Sequence, residues 1–337
     1  MWVFYTPIFF WTVLLAARYR GLAFLSVNPG FPMSGLFGEQ KATSLSYLQG
    51  LDELAKFALV LPDEDIDRRL NNSIAKINEL SLSYPIVLKP DVGQRGADVA
   101  IVRSMEQLRE YLLNVSGTLV LQEYVGGEEF GIFYMRNPRR EKGGVFSITE
   151  KTFPVLVGDG VATIEELMMR NPRTHYMAEY LLKLHADKLD RVLGFDEKFK
   201  VVEIGSHCRG SVFLDGASQI TAELDSAMDR ISAKIPGFYF GRYDIRVPDK
   251  ESLRNGAQLK VLEVNGVTSE STNIYDPKYS VFTAYKIMFA QWFFAFKIGQ
   301  ENIKLGAQKV SIAQFIAYLF QERKETVEAA PATQAEV

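Results

Sequence analysis

The chain has little to offer a soft metal: one cysteine, Cys208, and three histidines in 337 residues. A single thiol excludes an intrachain disulfide framework and fits a reducing compartment, so a cytoplasmic location is expected. So few sulfur and imidazole donors also make a zinc site of the usual ligand types a poor expectation. Charge of one sign is lacking as well. The 38 basic and 41 acidic side chains leave a net charge of −3, so the overall balance gives no reason to expect nucleic acid. No internal repeat is visible. The N-terminal uncharged run, residues 1–17, contains Pro7 and ends before Arg18 and Arg20. It is short for a membrane span and lacks the basic start and small-residue cleavage site of a signal peptide. The expectation is a helix packed on the protein; the alternative is peripheral contact with the inner face of a membrane through residues 1–17.

What is present is apolar material, 47% of the residues, ample for a packed core in two or three subdomains. Residues 22–27 read as a buried strand, and the Gly/Pro-rich loop 28–38 ends it. Residues 42–61 read as helical. A polar stretch, 63–79, leads into an apolar strand at 84–88. Strands at 99–102 and 118–122 flank a helix at 105–113. After Gly126-Gly127 the chain becomes β-rich, with strands at 129–135 and 144–151 and helical patterns at 164–169 and 176–193. Aromatic residues at helical spacing over 275–296 predict a core-facing helix. A second apolar helix near 312–320 precedes a charged, Ala/Pro-containing tail, 325–337, expected to be disordered.

The most informative stretch is two short strands. In 241–246, Arg242, Asp244 and Arg246 share one face; in 262–265, Glu263 and Asn265 share one face while Leu262 and Val264 point into the protein. The turn-forming residues between them, 248–256, predict a hairpin. Asp244, Glu263 and Asn265 would then converge as hard oxygen ligands of the kind Mg2+ selects when it also holds phosphates.

Two further segments fit a nucleotide. Lys89 ends a buried strand just before a loop containing Gly93 and Gly96, where a lysine and backbone N–H groups can meet phosphate oxygens. An ordinary turn is the plainer reading of that loop alone. Gln122-Glu123-Tyr124-Val125 runs into the glycine pair, exposing backbone groups that could read an adenine edge. Glu129 follows where a carboxylate can accept ribose hydroxyls, with a solvated Glu128-Glu129 pair as the alternative.

The order of these elements over residues 38–271 resembles the ATP-grasp superfamily. Within it the chain is most similar to the carboxylate–amine ligases, the class that includes D-alanine–D-alanine ligase and the ATP-grasp part of cyanophycin synthetase. The resemblance implies an α+β fold in which two α+β subdomains, 41–123 and 124–300, grip the nucleotide. Residues 1–40 then form a truncated N-terminal helix–strand region, and 301–337 a C-terminal helix and tail. It implies ATP and Mg2+ as cofactors. Lys41 and Lys89 are implied phosphate contacts, Gln122, Glu123 and Val125 adenine contacts, and Glu129 the ribose contact. Lys151 matches the γ-phosphate lysine, Arg242 the arginine at the reacting oxygens, and Asp244, Glu263 and Asn265 the magnesium ligands.

Two segments look more like cyanophycin-synthetase-type members. One is 158–167, where Thr163 and Glu166 also spell a capping box. The other is the polar loop 205–211, where His207 and Arg209 are expected to contact an anionic substrate; Cys208 has no base to make it a nucleophile beyond the adjacent histidine. The chain departs from the family in having only one helix and one strand before Lys41, and in lacking a Pro-Gly turn after Asn265, so acceptor specificity does not carry over. The implied function is ATP-dependent joining of a small-molecule carboxylate to an amine. The alternatives are a kinase on the same scaffold and a non-catalytic nucleotide-binding protein. A homodimer is a further option.

Overall fold

The computed structural model describes residues 2–36, 40–93, 96–205 and 209–329. Helix α1 (Trp2–Arg18) is followed by a one-turn 3-10 helix at Ala23–Ser26 and the short α2 (Lys41–Ser46). The first sheet comes next: β1 (Phe57–Val60), α3 (Ile66–Glu79), β2 (Ile86–Pro90), β3 (Ala100–Val102), α4 (Met105–Asn114) and β4 (Leu119–Glu123). Its strands are antiparallel in the order β1-β4-β2-β3. Asp65 and Ser104 cap the two helices by accepting from N–H groups of their first turns. Both helices pack on one face, where Ile77, Leu108 and Leu112 meet Ile86, Leu88, Leu119 and Leu121. Period-two alternation therefore puts Lys89 and Gln122 on the opposite, helix-free face.

A second, larger sheet follows: β5 (Glu128–Met135), β6 (Gly144–Thr152), β9 (Val212–Asp215), β10 (Phe240–Val247) and β11 (Lys260–Asn265). Its order is β11-β10-β5-β6-β9, again antiparallel throughout. One face carries Phe130, Ile132, Tyr134, Tyr243 and Ile245 and is covered by α8 (Ala222–Ser232). The other carries Glu129, Lys151, Arg242, Asp244, Arg246, Glu263 and Asn265. Between β6 and β9 the chain builds a small unit of its own from β7 (Val155–Val157), α5 (Ile164–Arg170), α6 (Pro172–Tyr176), α7 (Ala178–Leu184) and β8 (Lys198–Lys200). Its core includes Leu156, Ile164, Leu181, Leu193 and Val201. The Thr163–Glu166 capping box is formed in both directions. Beyond β11, α10 (Val281–Lys304) packs along α1, and α11 (Ile312–Ala329) ends the described chain; the short α9 (Lys250–Arg254) lies inside the β10–β11 connection.

The α+β class agrees with expectation, and several elements do not. Residues 22–27 are not a strand: the 3-10 turn packs on α10, and Asn302 Nδ2 donates to the carbonyls of Ser26 and Val27, groups that a sheet would have used. The helix expected over 42–61 stops at Ser46. Gly50 adopts a left-handed conformation, and Ala55 N–H donates to Val261 O in the second sheet before β1 enters the first. The polar stretch 63–79 contains α3. The pattern at 176–193 breaks after α7, where the His185 ring meets Val201 O at 2.8 Å. The 248–256 connection holds a helix rather than turns alone, and the tail stays helical to Ala329. α1 is packed on the protein as expected, and no helix among the described residues is long and apolar enough to cross a membrane.

Candidate active site

The predicted hairpin forms, with Arg242 opposite Asn265 and Asp244 opposite Glu263. The register then slips, so that Ile245 faces Val261 and Leu262 is left over as a β-bulge. This changes one expectation. Leu262 is not simply an inward residue; its carbonyl, freed from the ladder, accepts from Lys89 Nζ at 2.9 Å and from Gln122 Nε2 at 3.2 Å. Lys89 Nζ also donates to Gln122 Oε1 at 2.8 Å. The helix-free face of the first sheet therefore meets the second sheet at the bulge.

Around this joint the structure gathers charges that are scattered in sequence. Lys151, opposite Glu129 in register, donates to Glu129 Oε1 at 2.9 Å and lies 3.2 Å from Asp244 Oδ1. Arg242 Nε donates to Asp244 Oδ1 at 3.0 Å. Gly131 lies between these strands, and a Cβ there would come within 3.2 Å of the Arg242 side chain and 3.4 Å of Asp244 Oδ1. Lys41 Nζ donates to Gly93 O at 2.9 Å and lies 3.8 Å from Glu263 Oε1. Lys41, Lys89, Gln122, Glu129, Lys151, Asp244 and Arg246 are all buried.

Burial pushes the Lys89 ammonium below its ordinary value, with Glu263 opposing the shift only in part. Burial acts against charge on Lys151, Arg242 and Asp244 as well, but there mutual attraction wins. Asp244 raises Lys151 and Arg242, and these two cations hold the Asp244 carboxyl below its usual range.

A divalent cation would need oxygen donors. Asp244 and Glu263 face each other across the strands, and Asn265 Nδ2 is buried without a partner. Two facing carboxylates with the Asn265 carboxamide oxygen on the same face are a donor set suited to a hard ion, to which the unpaired Nδ2, a proton donor, adds nothing. Among the described residues no cluster of three or more His, Cys, Asp and Glu stands ready to hold a metal, so the set depends on Asn265 as its third member.

The remaining predicted residues divide. Gly96 has a left-handed φ of 73°, and Gly93 O is held by Lys41. Glu123 N–H is engaged by Lys56 O, and Val125 O accepts from Arg246 Nη1 at 2.6 Å. Both Glu129 oxygens are taken, Oε1 by Lys151 and Oε2 by Arg246. Gly205 presses on this carboxylate so closely that an added Cβ would lie 1.9 Å from Oε1. Arg209 is not drawn into the cluster; its guanidinium sits over the Tyr180 ring at 5.9 Å. His207 and Cys208 lie outside the described residues.

Sequence reasoning placed Arg246 on the polar face but gave it no role. The structure makes it a clamp on Glu129, Val125 O and Glu203 O. Glu270 was missed. Its carboxylate accepts from Tyr5 and Tyr275, each at 2.8 Å, while its carbonyl accepts from Arg242 Nη1 at 3.2 Å. The only available signal was its position five residues beyond Asn265. Two cavities, of about 630 and 350 Å3, lie away from the cluster and share no residue with it.

No family model matches the chain, and no curated protein matches it. Solved structures do. The bifunctional glutathione synthetase of Pasteurella multocida is 12% identical over 76% of this chain, with a TM-score of 0.34. The ATP complex of D-alanine–D-alanine ligase from Bacillus anthracis is 16% identical over 79% of the chain, with a TM-score of 0.40. The VanG D-Ala:D-Ser ligase of Enterococcus faecalis is 14% identical over 79%, with a TM-score of 0.41. The chain spans 38% of the first protein, 70% of the second and 64% of the third.

Proposed function

We propose that the joint between the two sheets is a magnesium–ATP site on an ATP-grasp-type scaffold, and that the protein is an ATP-dependent carboxylate–amine ligase. The observation that carries this reading is the convergence, at the joint between the two sheets, of Asp244, Glu263 and Asn265 with the cations Lys41, Lys89, Lys151 and Arg242.

In this reading Asp244, Glu263 and Asn265 hold Mg2+, which supplies charge neutralisation at the β- and γ-phosphates when bound. Lys41 and Lys89 meet the phosphates, with Gly93 and Gly96 as further contacts. Gln122, with backbone groups of Glu123 and Val125, reads the adenine. Glu129 takes the ribose hydroxyls once Lys151 or Arg246 gives up its bond. Lys151 and Arg242 sit where charge develops on the transferred group. A substrate carboxylate oxygen attacks the γ-phosphorus, the bond to ADP breaks, and an acylphosphate results. An amine then attacks the acyl carbon and phosphate leaves, with the amine proton lost to solvent.

The test incubates the protein with ATP, Mg2+, pools of small carboxylates and hydroxylamine. A hydroxamate formed in step with ADP supports the ligase. ADP release that leaves a stable phosphorylated product and no hydroxamate overturns it.

A further inference from the structure

The outward face of α1 is an apolar surface that this chemistry does not use. Ile8 and Leu15 are buried toward α10, whereas Val3, Phe9, Phe10, Val13 and Leu14 are 49–86% exposed. At about 100° per residue these positions, with the exposed Thr6, Pro7 and Ala17, fill roughly half of the helix circumference. Thr6 is the one polar member. Scattered apolar residues on a surface need no explanation, but a contiguous face of this kind does. The helix then runs into Arg18 and Arg20, which together with Lys304 and Lys309 line the 350 Å3 cavity. Lys309 Nζ is held there by Arg20 O at 3.0 Å. Lys304 pairs with Glu301 at 2.6 Å, but that carboxylate is shared with Arg139. Among the described residues up to Phe320, no carboxylate forms an ion pair with Arg18, Arg20 or Lys309.

We propose that this face docks on an anionic lipid bilayer, with α1 lying in the headgroup region and the four cations meeting lipid phosphates. Charge complementarity selects this occupant. α1 has no acidic residue, so pairing α1 with a second copy of itself would bury the apolar face and leave Arg18, Arg20 and Lys309 without counter-charges. A bilayer with anionic headgroups satisfies both surfaces at once. The inner side of α1 fixes it parallel to the protein surface. Trp11 Nε1 donates to Phe289 O at 3.0 Å, and Tyr5 donates to Glu270 at 2.8 Å, so insertion across a bilayer would cost those bonds.

The test is co-sedimentation of the full chain with phosphatidylcholine vesicles and with vesicles containing phosphatidylglycerol. Wild type is expected to bind the second kind and to be released by salt. Each cation near such a surface is worth a factor of about five, so Arg18→Gln with Lys304→Gln lowers partition roughly thirty-fold. Phe9→Ser with Phe10→Ser removes apolar contact and lowers it by more than about ten-fold. Both pairs are exposed, so circular dichroism and ATP binding should match wild type. The proposal is overturned if wild type ignores anionic vesicles or if both double variants bind as wild type does. It is also overturned if wild type is a dimer in light scattering that Phe9→Ser/Phe10→Ser dissociates, since a second copy then covers the face.

Discussion

Lys89→Met separates two jobs that one side chain could do here. In this structure Lys89 is a tie between sheets, donating to Gln122 Oε1 and Leu262 O. Hydrogen bonds from a charged donor are worth about 1.5–3 kcal/mol each. Removing an ammonium from water costs several kcal/mol, which consumes most of that gain. The lowered pKa carries the same message, because burial outweighs the nearby carboxylates. Methionine fills similar space, and Leu262 O keeps the 3.2 Å bond from Gln122. The folding stability of Lys89→Met should therefore lie within about 2 kcal/mol of wild type. Binding behaves differently. Deleting a buried cation opposite a phosphate costs about 3 kcal/mol or more, a loss of roughly a hundred-fold in Kd.

Calorimetry with a non-hydrolysable ATP analogue and Mg2+, alongside urea unfolding, reads both quantities. A large stability loss with unchanged nucleotide affinity would refute the phosphate role and leave Lys89 a structural bridge. The protonation state adds an independent check. With the folded value lowered, the unfolded chain binds more protons between that value and the ordinary 10.5. Wild-type stability therefore rises with pH across that window. Phosphates restore the charged form, so analogue binding there takes up a proton. Binding heats in buffers of different ionisation enthalpy should diverge for wild type and coincide for Lys89→Met.

Three other perturbations follow from the same geometry. Asn265→Ala deletes an amide whose buried Nδ2 has no partner, so stability should change by less than about 1 kcal/mol while the Mg2+ concentration for half-maximal ATP turnover rises. Asp244→Asn should abolish turnover. Because the folded Asp244 carboxyl lies below the ordinary 3.8, its stabilising effect is complete above that value and is lost as pH falls through the lowered one; acid unfolding curves of the variant should be flatter there. Arg69→Ala removes donors to the carbonyls of Leu112, Val115 and Gly117 at the end of α4. It should cost about 3 kcal/mol in urea unfolding, without changing ATP affinity per folded molecule.

The hairpin was legible because alternation is a local signal: Arg242, Asp244 and Glu263 could share a face only if both segments were strands. The bulge at Leu262 was not legible, since nothing in Val261-Leu262-Glu263 marks where a ladder slips. The clamp on Glu129 depends on the antiparallel register of β5 with β10, which sets Arg246 beside it; sequence gives the face but not the neighbour. The 3-10 turn at Ala23–Ser26 was misread for a related reason. A short apolar run does not distinguish a buried strand from any other buried segment, and here Asn302, far along the chain, satisfies its carbonyls. α3 is a different kind of miss. Asp65 followed by Ile66, Leu70, Ile74 and Ile77 carries both a cap and a helical period, and the polar composition around it hid them.

The two faces of the larger sheet divide the work. Concentrating Lys151, Arg242, Arg246, Glu129 and Asp244 on one face is unfavourable for folding wherever desolvation exceeds pairing. The opposite face supplies the compensation: Phe130, Ile132, Tyr134, Tyr243 and Ile245 are at most 1% exposed and lock into α8. That sheet is therefore a rigid platform for charge. The smaller sheet has its own core with α3 and α4, and it meets the platform through the chain crossing at residues 54–57 and through Lys89 and Gln122 on Leu262 O. On the proposed reading, a nucleotide entering at this joint would take over those two donors. The step that admits the ligand is then an exchange of hydrogen bonds at a bulge, which leaves both hydrophobic cores intact.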